Sequence, residues 1–116
     1  MKSFMFIYEG GDPNWHATAP AEEMKALMAN WEQWMQALAE KGQLVSGGEP
    51  LHFSGKRLDS NGLVTDIAAA EFKDLVSGYS VVGAHSVGEA IEIAKTCPIF
   101  SDSSVKVQIR EVIQMD

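Results

Sequence analysis

The chain has 116 residues, of which 46% are hydrophobic and 22% charged, and these fractions are typical of one globular domain and exclude intrinsic disorder. Its single cysteine, Cys97, excludes a disulfide-stapled secreted scaffold and a cysteine-rich zinc site, and it favours a reducing compartment. The net charge of -7 disfavours nucleic acid as a partner, because an acidic protein repels phosphate.

Residues 2–9 predict a central β-strand. Their side chains alternate between two faces, and both faces are apolar, so we expect both to be covered. The run is too short for the apolar core of a signal sequence, and no stretch approaches the roughly 18 apolar residues of a membrane span. We therefore expect a cytoplasmic protein without a membrane partner. The two faces carry Phe4, Phe6 and Tyr8 on one side and Met5 and Ile7 on the other.

A long amphipathic helix is predicted over residues 20–41. Pro20 suits the first helical position, and Glu22 and Glu23 suit the positive end of the helix dipole. Gly42 follows as a stop signal. Apolar residues recur at helical spacing, at Met24, Leu27, Met28, Trp31, Met35 and Leu38, with Trp34 beside them.

The middle of the chain predicts short strands and a hairpin. Residues 44–53 read as a strand that a glycine pair at 47–48 interrupts, as in a β-bulge. The Asn-Gly pair at 61–62 suits a hairpin turn, because such turns need positive φ. Residues 66–74 show no clear period, and we expect a loop or a short helical turn there.

The second half of the chain predicts a strand, a helix and a strand. Residues 78–84 read as the first strand, and residues 105–110 alternate cleanly, which indicates a strand with one buried face. Between them, Ser86 and Glu89 form a capping box that starts a helix, and Pro98 ends it.

This order of elements is that of a ferredoxin-like α+β domain with an added hairpin. We predict an antiparallel sheet with two helices on one face, in a single domain over residues 1–116. Two helices cover one face of such a sheet, yet the first strand is apolar on both. The second face therefore predicts a homodimer, in which a second copy of the chain covers it.

Residues 64–74, V-T-D-I-A-A-A-E-F-K-D, are similar to the signature T-D-G-P-F-x-E-x-K-E of the DGPF branch of the YCII-related proteins. Residues 67–69, Ile-Ala-Ala, stand where the signature has Gly-Pro-Phe. Its charged framework is kept as Asp66, Glu71 and Lys73. The resemblance extends in order over nearly the whole chain, through F-I-Y at 6–8, P-A-E-E-M at 20–24, S-G-G-E-P-L at 46–51, G-Y at 78–79 and the last strand at 104–109.

The resemblance implies a ferredoxin-like chain, two copies of which form a dimeric α+β barrel. Most members of the family have no assigned function, and some relatives in the wider group resemble small-molecule lyases, isomerases or dehalogenases that use a His–Asp pair. The glycine and proline that shape the signature loop are absent here, so the resemblance carries over the fold better than the chemistry.

The candidate catalytic pair is His16 with Asp66. A histidine titrates near neutral pH and can act as general acid or base, and Asp66 can orient it. The alternative is that His16 is a surface residue of a loop. The candidate ligand-binding residues around this pair are Tyr8, Trp15, Glu49, Glu71 and Lys73.

Each of these candidates also has a structural interpretation. Trp15 lies in a predicted loop, where it suits the wall of a ligand pocket. Glu49, if buried, needs a cation, a donor or water. Asp66 can instead cap a turn, and Lys73 can pair with Glu71 or with Glu49. The histidines lack metal-ligand spacing and no phosphate-binding glycine motif is present, so we expect neither a metal nor a cofactor.

Two functional hypotheses remain. The first is a dimeric small-molecule enzyme, or the remnant of one, in which His16 and Asp66 transfer protons in a pocket between the long helix, the sheet and the signature loop. The second is a non-catalytic module that binds a small ligand or a partner on the same dimer. The retained charged residues favour the first, and the missing Gly-Pro-Phe favours the second.

Overall fold

The computed structural model of the chain describes residues 1–12, 15–67 and 72–115, and the side chains of His16 and Phe72 lie outside that description. None of the helices in these ranges is long and apolar enough to cross a membrane. Short 3-10 turns lie at Phe72–Asp74 and Pro98–Ser101. The helices and strands are β1 (Lys2–Glu9), α1 (Trp15–Thr18), α2 (Ala21–Glu40), β2 (Leu44–Ser46), β3 (Lys56–Leu58), β4 (Val64–Asp66), β5 (Val76–Ala84), α3 (Val87–Lys95) and β6 (Lys106–Glu111).

Four strands form one antiparallel sheet in the order β2-β5-β1-β6. In the centre, Phe6 of β1 lies opposite Ser80 of β5 on one side and Ile109 of β6 on the other. The two long helices are the crossovers, since α2 follows β1 and α3 joins β5 to β6. The predicted ferredoxin-like α+β fold is therefore confirmed.

The core lies between the helices and one face of the sheet, which we call the core face. Phe4, Phe6 and Tyr8 point to this face and are at most 3% exposed. They share it because every second residue of a strand lies on the same side. The rest of the buried apolar core is Trp34 and Leu38 of α2, Val82 and Ala84 of β5, Ala90, Ile93 and Ala94 of α3, and Cys97 and Val105.

The ends of α2 agree with the predicted signals. The helix starts after Pro20 and ends at Glu40. Gly42 then takes a φ of 69°, and the next N–H, that of Gln43, donates to the carbonyl of Leu38 at 2.8 Å. This bond satisfies one of the carbonyls that a helix leaves without a partner at its end.

Burial along α2 is concentrated in its second half. Trp34 and Leu38 are buried, whereas Met28, which belongs to the predicted apolar stripe, is 59% exposed. The 20 residues of α2 extend about 30 Å, and only its second half contributes residues to the buried core. Trp34 also donates from Nε1 to Oγ1 of Thr96 at 2.9 Å, which ties α2 to the end of α3.

Ser86 caps the start of α3 as predicted, whereas the Glu89 side chain has a different partner from the one that a capping box gives it. The Ser86 hydroxyl accepts a hydrogen bond from the backbone N–H of Glu89 at 3.2 Å. The Glu89 carboxylate in turn accepts from the side-chain amide of Gln43 at 2.9 Å, so it holds the connection that follows α2. The helix ends at Lys95 and Pro98 begins the next 3-10 turn, in agreement with the expected stop.

The predicted interruption of the second strand lies at the glycine pair. β2 ends at Ser46, and beyond the pair an isolated bridge joins Pro50 to Gly78 of β5. Gly48 has a φ of 73°, and a Cβ on it would lie 1.6 Å from the carbonyl oxygen of Tyr79. A side chain at this position is therefore excluded by both the backbone conformation and the close approach of β5.

The predicted hairpin is present as β3 and β4, which pair with each other in a two-stranded sheet separate from the main one. We call residues 56–66 the arm. All six of its strand residues are exposed. The arm therefore adds nothing to the core of its own protomer.

The side of the sheet opposite the core face is the open face. Both long helices pack on the core face, and the smallest principal extent of the molecule is 19 Å, which is the thickness expected of one sheet and one helical layer. On the open face, Met5 and Ile7 are half-buried, as are Tyr79 and Val81 beside them. The face includes Met5, Ile7 and Glu9 of β1, Tyr79 and Val81 of β5, and Lys106, Gln108 and Arg110 of β6.

Candidate functional site at the end of β1

Three chain segments meet at the carboxyl end of β1, around Gly10. This glycine has a φ of 90°, and a Cβ on it would lie 3.4 Å from the carbonyl oxygens of both Lys73 and Ser104. Its N–H donates to the carbonyl of Leu75 at 2.8 Å. The loop of residues 10–12, which we call the β1 loop, is thereby packed between the turn that carries Lys73 and the turn that precedes β6.

Asp102 fixes the β1 loop from the second of these turns. Its carboxylate accepts hydrogen bonds from the hydroxyl of Ser104 at 2.6 Å and from the Ser104 backbone N–H at 2.9 Å. These bonds, together with one from the backbone N–H of Asp12, lower the pKa of Asp102 below its usual range. The ionised carboxylate therefore connects the turn before β6 to the β1 loop.

Trp15 and His16 follow this loop in the short helix α1, so the prediction that both lie in a loop was wrong. The backbone N–H of Trp15 donates to the carbonyl of Asp12 at 3.2 Å, and the Trp15 carbonyl accepts from the N–H of Ala19 at 2.8 Å. The Trp15 side chain is half-buried. The His16 side chain lies outside the described residues, so its distance to Asp66 is not defined and the proposed pair stays a prediction.

Asp66 lies at the base of the arm, where strand pairing sets it opposite Lys56. Its carboxylate binds the ammonium group of Lys56 in an exposed ion pair. The sequence suggested turn capping or orientation of His16 for Asp66 and did not suggest this partner. Such exposed pairs contribute about 0–1 kcal/mol to stability.

Tyr8 lies in the core beneath this site. Its hydroxyl donates to Oγ of Ser80 at 2.8 Å and contacts Sγ of Cys97 at 3.5 Å, and Ser80 donates onward to the carbonyl of Gly47 at 2.9 Å. Burial, and next the nearby charge of ionised Cys97, raise the pKa of Tyr8 well above its usual range. Burial likewise raises the pKa of Cys97. A ligand-lining role for Tyr8 stays a prediction.

The remaining candidates are distributed over two places. Glu49 is exposed, and its carbonyl oxygen lies 3.0 Å from where a Cβ on Gly78 would be. Lys73 has an exposed side chain in the 3-10 turn whose backbone contacts Gly10. Glu71 lies outside the described residues. The structure thus brings the backbone of Lys73 to the β1 loop that leads to Trp15, and it places Asp66 in the arm and Glu49 beside β5.

A shallow groove of about 490 Å³ runs along the first half of α2. Its walls are mostly apolar, and Met24 and Met28 contribute the largest apolar side chains. Among the described residues, no group of three or more His, Cys, Asp or Glu side chains could hold a metal ion. The groove is lined by Ala21, Met24, Lys25, Met28, Ala29 and Glu32.

Sequence reasoning missed two residues that order this region. Asp102 begins an Asp-Ser-Ser run, a pattern typical of turns in which the carboxylate binds the backbone two residues on. Ser80 is completely buried. The sequence feature that could have identified it is a polar residue at an inward position of a predicted strand. In both cases the sequence contains the local pattern, but it does not show the distant partner, which is Asp12 for Asp102 and Tyr8 for Ser80.

The comparison with known families agrees with this fold. Residues 3–116 match the family model of the YCII-related domain, which is nearly the whole chain. No curated protein matches the chain.

Proposed function

The chain belongs to the YCII-related family, and we propose that it is a homodimer that binds a small polar molecule at the carboxyl end of β1. We also assign it to the DGPF branch, on the resemblance of residues 64–74, of which residues 68–71 lie outside the described part of the chain. A cytoplasmic location and independence from nucleic acid remain expectations from the sequence.

The open face supports the homodimer. Met5, Ile7 and Val81 are half-buried within one protomer, and apolar patches of this kind seldom remain in water on a monomer. The open face carries Lys106 and Arg110 against a single carboxylate, Glu9, although the chain as a whole has a net charge of -7. Two copies therefore repel one another less through this face than through the rest of the surface. A two-fold axis packs the open face of each copy on the open face of the other, so the same patch is covered on both copies.

Sedimentation equilibrium at micromolar concentration tests the dimer. We expect the wild type to sediment as a dimer, with a thermal midpoint that rises with protein concentration. Ile7→Asp should yield monomers, because it places a carboxylate on the open face, whereas Gln33→Asp adds the same charge on the exposed side of α2 and should leave the dimer intact. A folded wild-type monomer at this concentration would contradict the proposal.

The observation that carries the ligand-binding proposal is the meeting of three segments at Gly10. The β1 loop, the turn of Lys73 and the turn of Asp102 are held together by backbone contacts. The half-buried Trp15 follows the β1 loop and precedes His16 in sequence, and the backbone of Lys73, whose side chain is exposed, contacts Gly10. An aromatic wall with a few polar groups on rigid supports is typical of small-molecule sites.

A fragment screen by ¹⁵N NMR tests this site. We expect small polar fragments, organic acids included, to shift the amide signals of the β1 loop, Lys73 and Ser104. Gly10→Val should abolish these shifts, because a side chain there has an unfavourable φ and meets two backbone carbonyls. Gly42→Ala is the matched control, since Gly42 also has positive φ but faces open space. Shifts confined to another part of the molecule would contradict the proposal.

Proton transfer by His16 and Asp66 is the second candidate function. It is favoured by the position of Lys73, whose turn ends the signature segment that contains Asp66 and contacts the loop that leads to His16. The ion pair of Asp66 with Lys56 counts against it, because the carboxylate already has a cation.

An NMR titration of the His16 imidazole distinguishes the two candidates. If Asp66 orients His16, the Asp66→Asn variant should make the imidazole titrate at lower pH, because a nearby carboxylate favours the imidazolium. Asp59→Asn removes the same charge elsewhere in the arm and should leave the titration unchanged. Equal titration curves for wild type and Asp66→Asn would exclude the pair and leave ligand binding as the function.

A further inference from the structure

The arm exposes apolar side chains that its own protomer does not cover. Leu58 is 69% exposed, Leu63 60% and Val64 56%. Its strands have three residues each and belong to no larger sheet. A two-stranded hairpin of this kind is at best marginally stable alone in water, so its apolar residues require a surface to pack on.

The arm nevertheless has a defined shape. The Asp59 carboxylate accepts hydrogen bonds from the backbone N–H groups of Asn61 and Leu63, both at 2.9 Å. The Asp59 N–H donates to the Leu63 carbonyl at 3.0 Å, and the Gly62 N–H donates to the Asp59 carbonyl at 3.1 Å. At the other end, Lys56 and Asp66 close the hairpin with their ion pair. These bonds hold Leu58 and Leu63 in fixed positions on the two sides of the turn.

The chain that leads into the arm is bonded to β5, one of the two central strands of the open face, and a second bond closes the base of the arm. The Leu51 N–H donates to the carbonyl of Ser77 in β5 at 2.9 Å, just before the arm, and the Ile67 N–H donates to the carbonyl of Gly55 at 3.0 Å, just after it. Tyr79, two residues along β5 from Ser77, belongs to the open face. The arm therefore extends from the edge of the surface that the second copy covers in the proposed dimer.

The area of the open face shows that a dimer requires more contact than the sheet provides. Four strands about 4.8 Å apart and about 26 Å long present about 500 Å² per protomer, or about 1,000 Å² for two. Stable obligate dimers bury about 2,000 Å² or more. β2 has only three residues, so the sheet lies below this estimate, and another element must contribute.

Charge also favours a second copy as the partner of the arm. Residues 56–66 contain two basic residues, Lys56 and Arg57, and two acidic ones, so the arm is neutral in a chain of net charge -7. Lys56 pairs with Asp66 within the arm, whereas no carboxylate of the described residues forms an ion pair with Arg57. The second copy is acidic outside its open face, so its carboxylates there can pair with this exposed guanidinium.

We propose that the arm, residues 56–66, packs on the second copy in the homodimer, with Leu58, Leu63 and Val64 buried against it and Arg57 beside its carboxylates. The inference rests on the proposed dimer and extends it, because it makes the arm part of the interface. Each arm thereby buries its apolar residues outside its own core.

Intermolecular paramagnetic relaxation tests the contact. One sample is the Ser60→Cys, Cys97→Ala protein, which carries a nitroxide on the introduced cysteine and contains no ¹⁵N. It is mixed with a second sample, ¹⁵N-labelled Cys97→Ala protein without a nitroxide. Any broadened amide signal then belongs to the second copy. We expect broadening from Ser60 and far weaker broadening from a matched label at Gln36→Cys, on the exposed side of α2.

The same samples are run in the analytical ultracentrifuge, and this separates the possible failures. A dimer without broadening from the Ser60 label would overturn the arm contact and leave the dimer standing. A monomer would overturn both. Leu58→Ser with Leu63→Ser, made in the wild-type background, should raise the dissociation constant about tenfold or more while the far-ultraviolet spectrum of the monomer stays unchanged, since both leucines are exposed within the protomer. An unchanged dissociation constant would also overturn the contact.

Discussion

Both faces of β1 carry apolar side chains, but their surroundings differ. Phe4 and Phe6 are at most 1% exposed, because α2 and α3 pack on their side of the sheet. Met5 and Ile7, their immediate neighbours in sequence, remain half-buried because neither of these helices lies on their side. Apolar character alone therefore does not decide burial here. The helices of the chain cover one face, and within the protomer the other face stays half-buried.

The sharpest test of this comparison uses adjacent residues. Phe6→Ala should lower the free energy of unfolding by about 3–5 kcal/mol, because it leaves a cavity in the core. Ile7→Ala should cost less than about 2 kcal/mol in the monomer, because its side chain is already partly in water. Urea denaturation at several protein concentrations measures both. Equal losses at low concentration would show that the two faces are equivalently covered within one protomer.

The polar residue on the core face gives the next largest effect. Ser80→Ala removes the acceptor of the Tyr8 hydroxyl and the donor to the Gly47 carbonyl, so it should cost about 1–3 kcal/mol. Ser3→Ala, a half-buried serine on β1, is the control and should be close to neutral. Chemical denaturation compares them, and a neutral Ser80→Ala would mean that the buried hydrogen bonds do not stabilise the core face.

The pH dependence of stability sharpens the same comparison. The folded state raises the pKa of Tyr8 above its unfolded value of about 10. The folded protein therefore retains this proton where the unfolded chain loses it, and stability should fall as pH rises above about 10. Cys97, whose pKa burial also raises, adds a fall that starts above its own unfolded value. Tyr8→Phe should make the decrease of stability above about pH 10 less steep. An unchanged slope would show that ionisation of Tyr8 does not contribute to the pH dependence of stability.

The smallest effect is expected at the candidate site, away from both faces. The folded state lowers the pKa of Asp102, so its contribution to stability is present above the unfolded value of about 3.9 and is lost as pH falls below it. Asp102→Asn should cost less than about 1 kcal/mol near neutral pH, because the group is partly exposed. Amide exchange of Gly11 and Asp12 should nevertheless accelerate. Unaltered exchange in the variant would show that Asp102 does not hold the β1 loop.

The sequence predicted the elements well because their signals are local. The alternation of residues 2–9, the Ser86 cap and the Asn-Gly turn at 61–62 each act within a few residues, and the structure has all three. The depth of burial along α2 was less predictable. The apolar stripe includes Met28, yet the sheet reaches Trp34 and Leu38 and leaves Met28 in water, because the position of the helix over the sheet decides which part of the stripe is buried.

The candidate site was predicted as a set of residue types and not as an arrangement. Tyr8 lies on the same face of β1 as Phe4 and Phe6, which the alternation of the strand predicts. Its partners Ser80 and Cys97 lie 72 and 89 residues away in the chain, so no local pattern predicts them. The ion pair of Asp66 depends on hairpin register, since pairing sets residue 56 opposite residue 66. His16 and Glu71, for which the relevant side chains lie outside the described part of the chain, stay predictions.

The sequence by itself determined the order of elements, the face of β1 that each side chain takes and the membership in a ferredoxin-like class, because periodicity and capping are encoded within a few residues. The tertiary structure decided which face of the sheet the helices cover, which charged groups pair and which loops meet around Gly10. These features depend on contacts between segments far apart in the chain, such as Asp102 with the β1 loop, and no local pattern contains both partners.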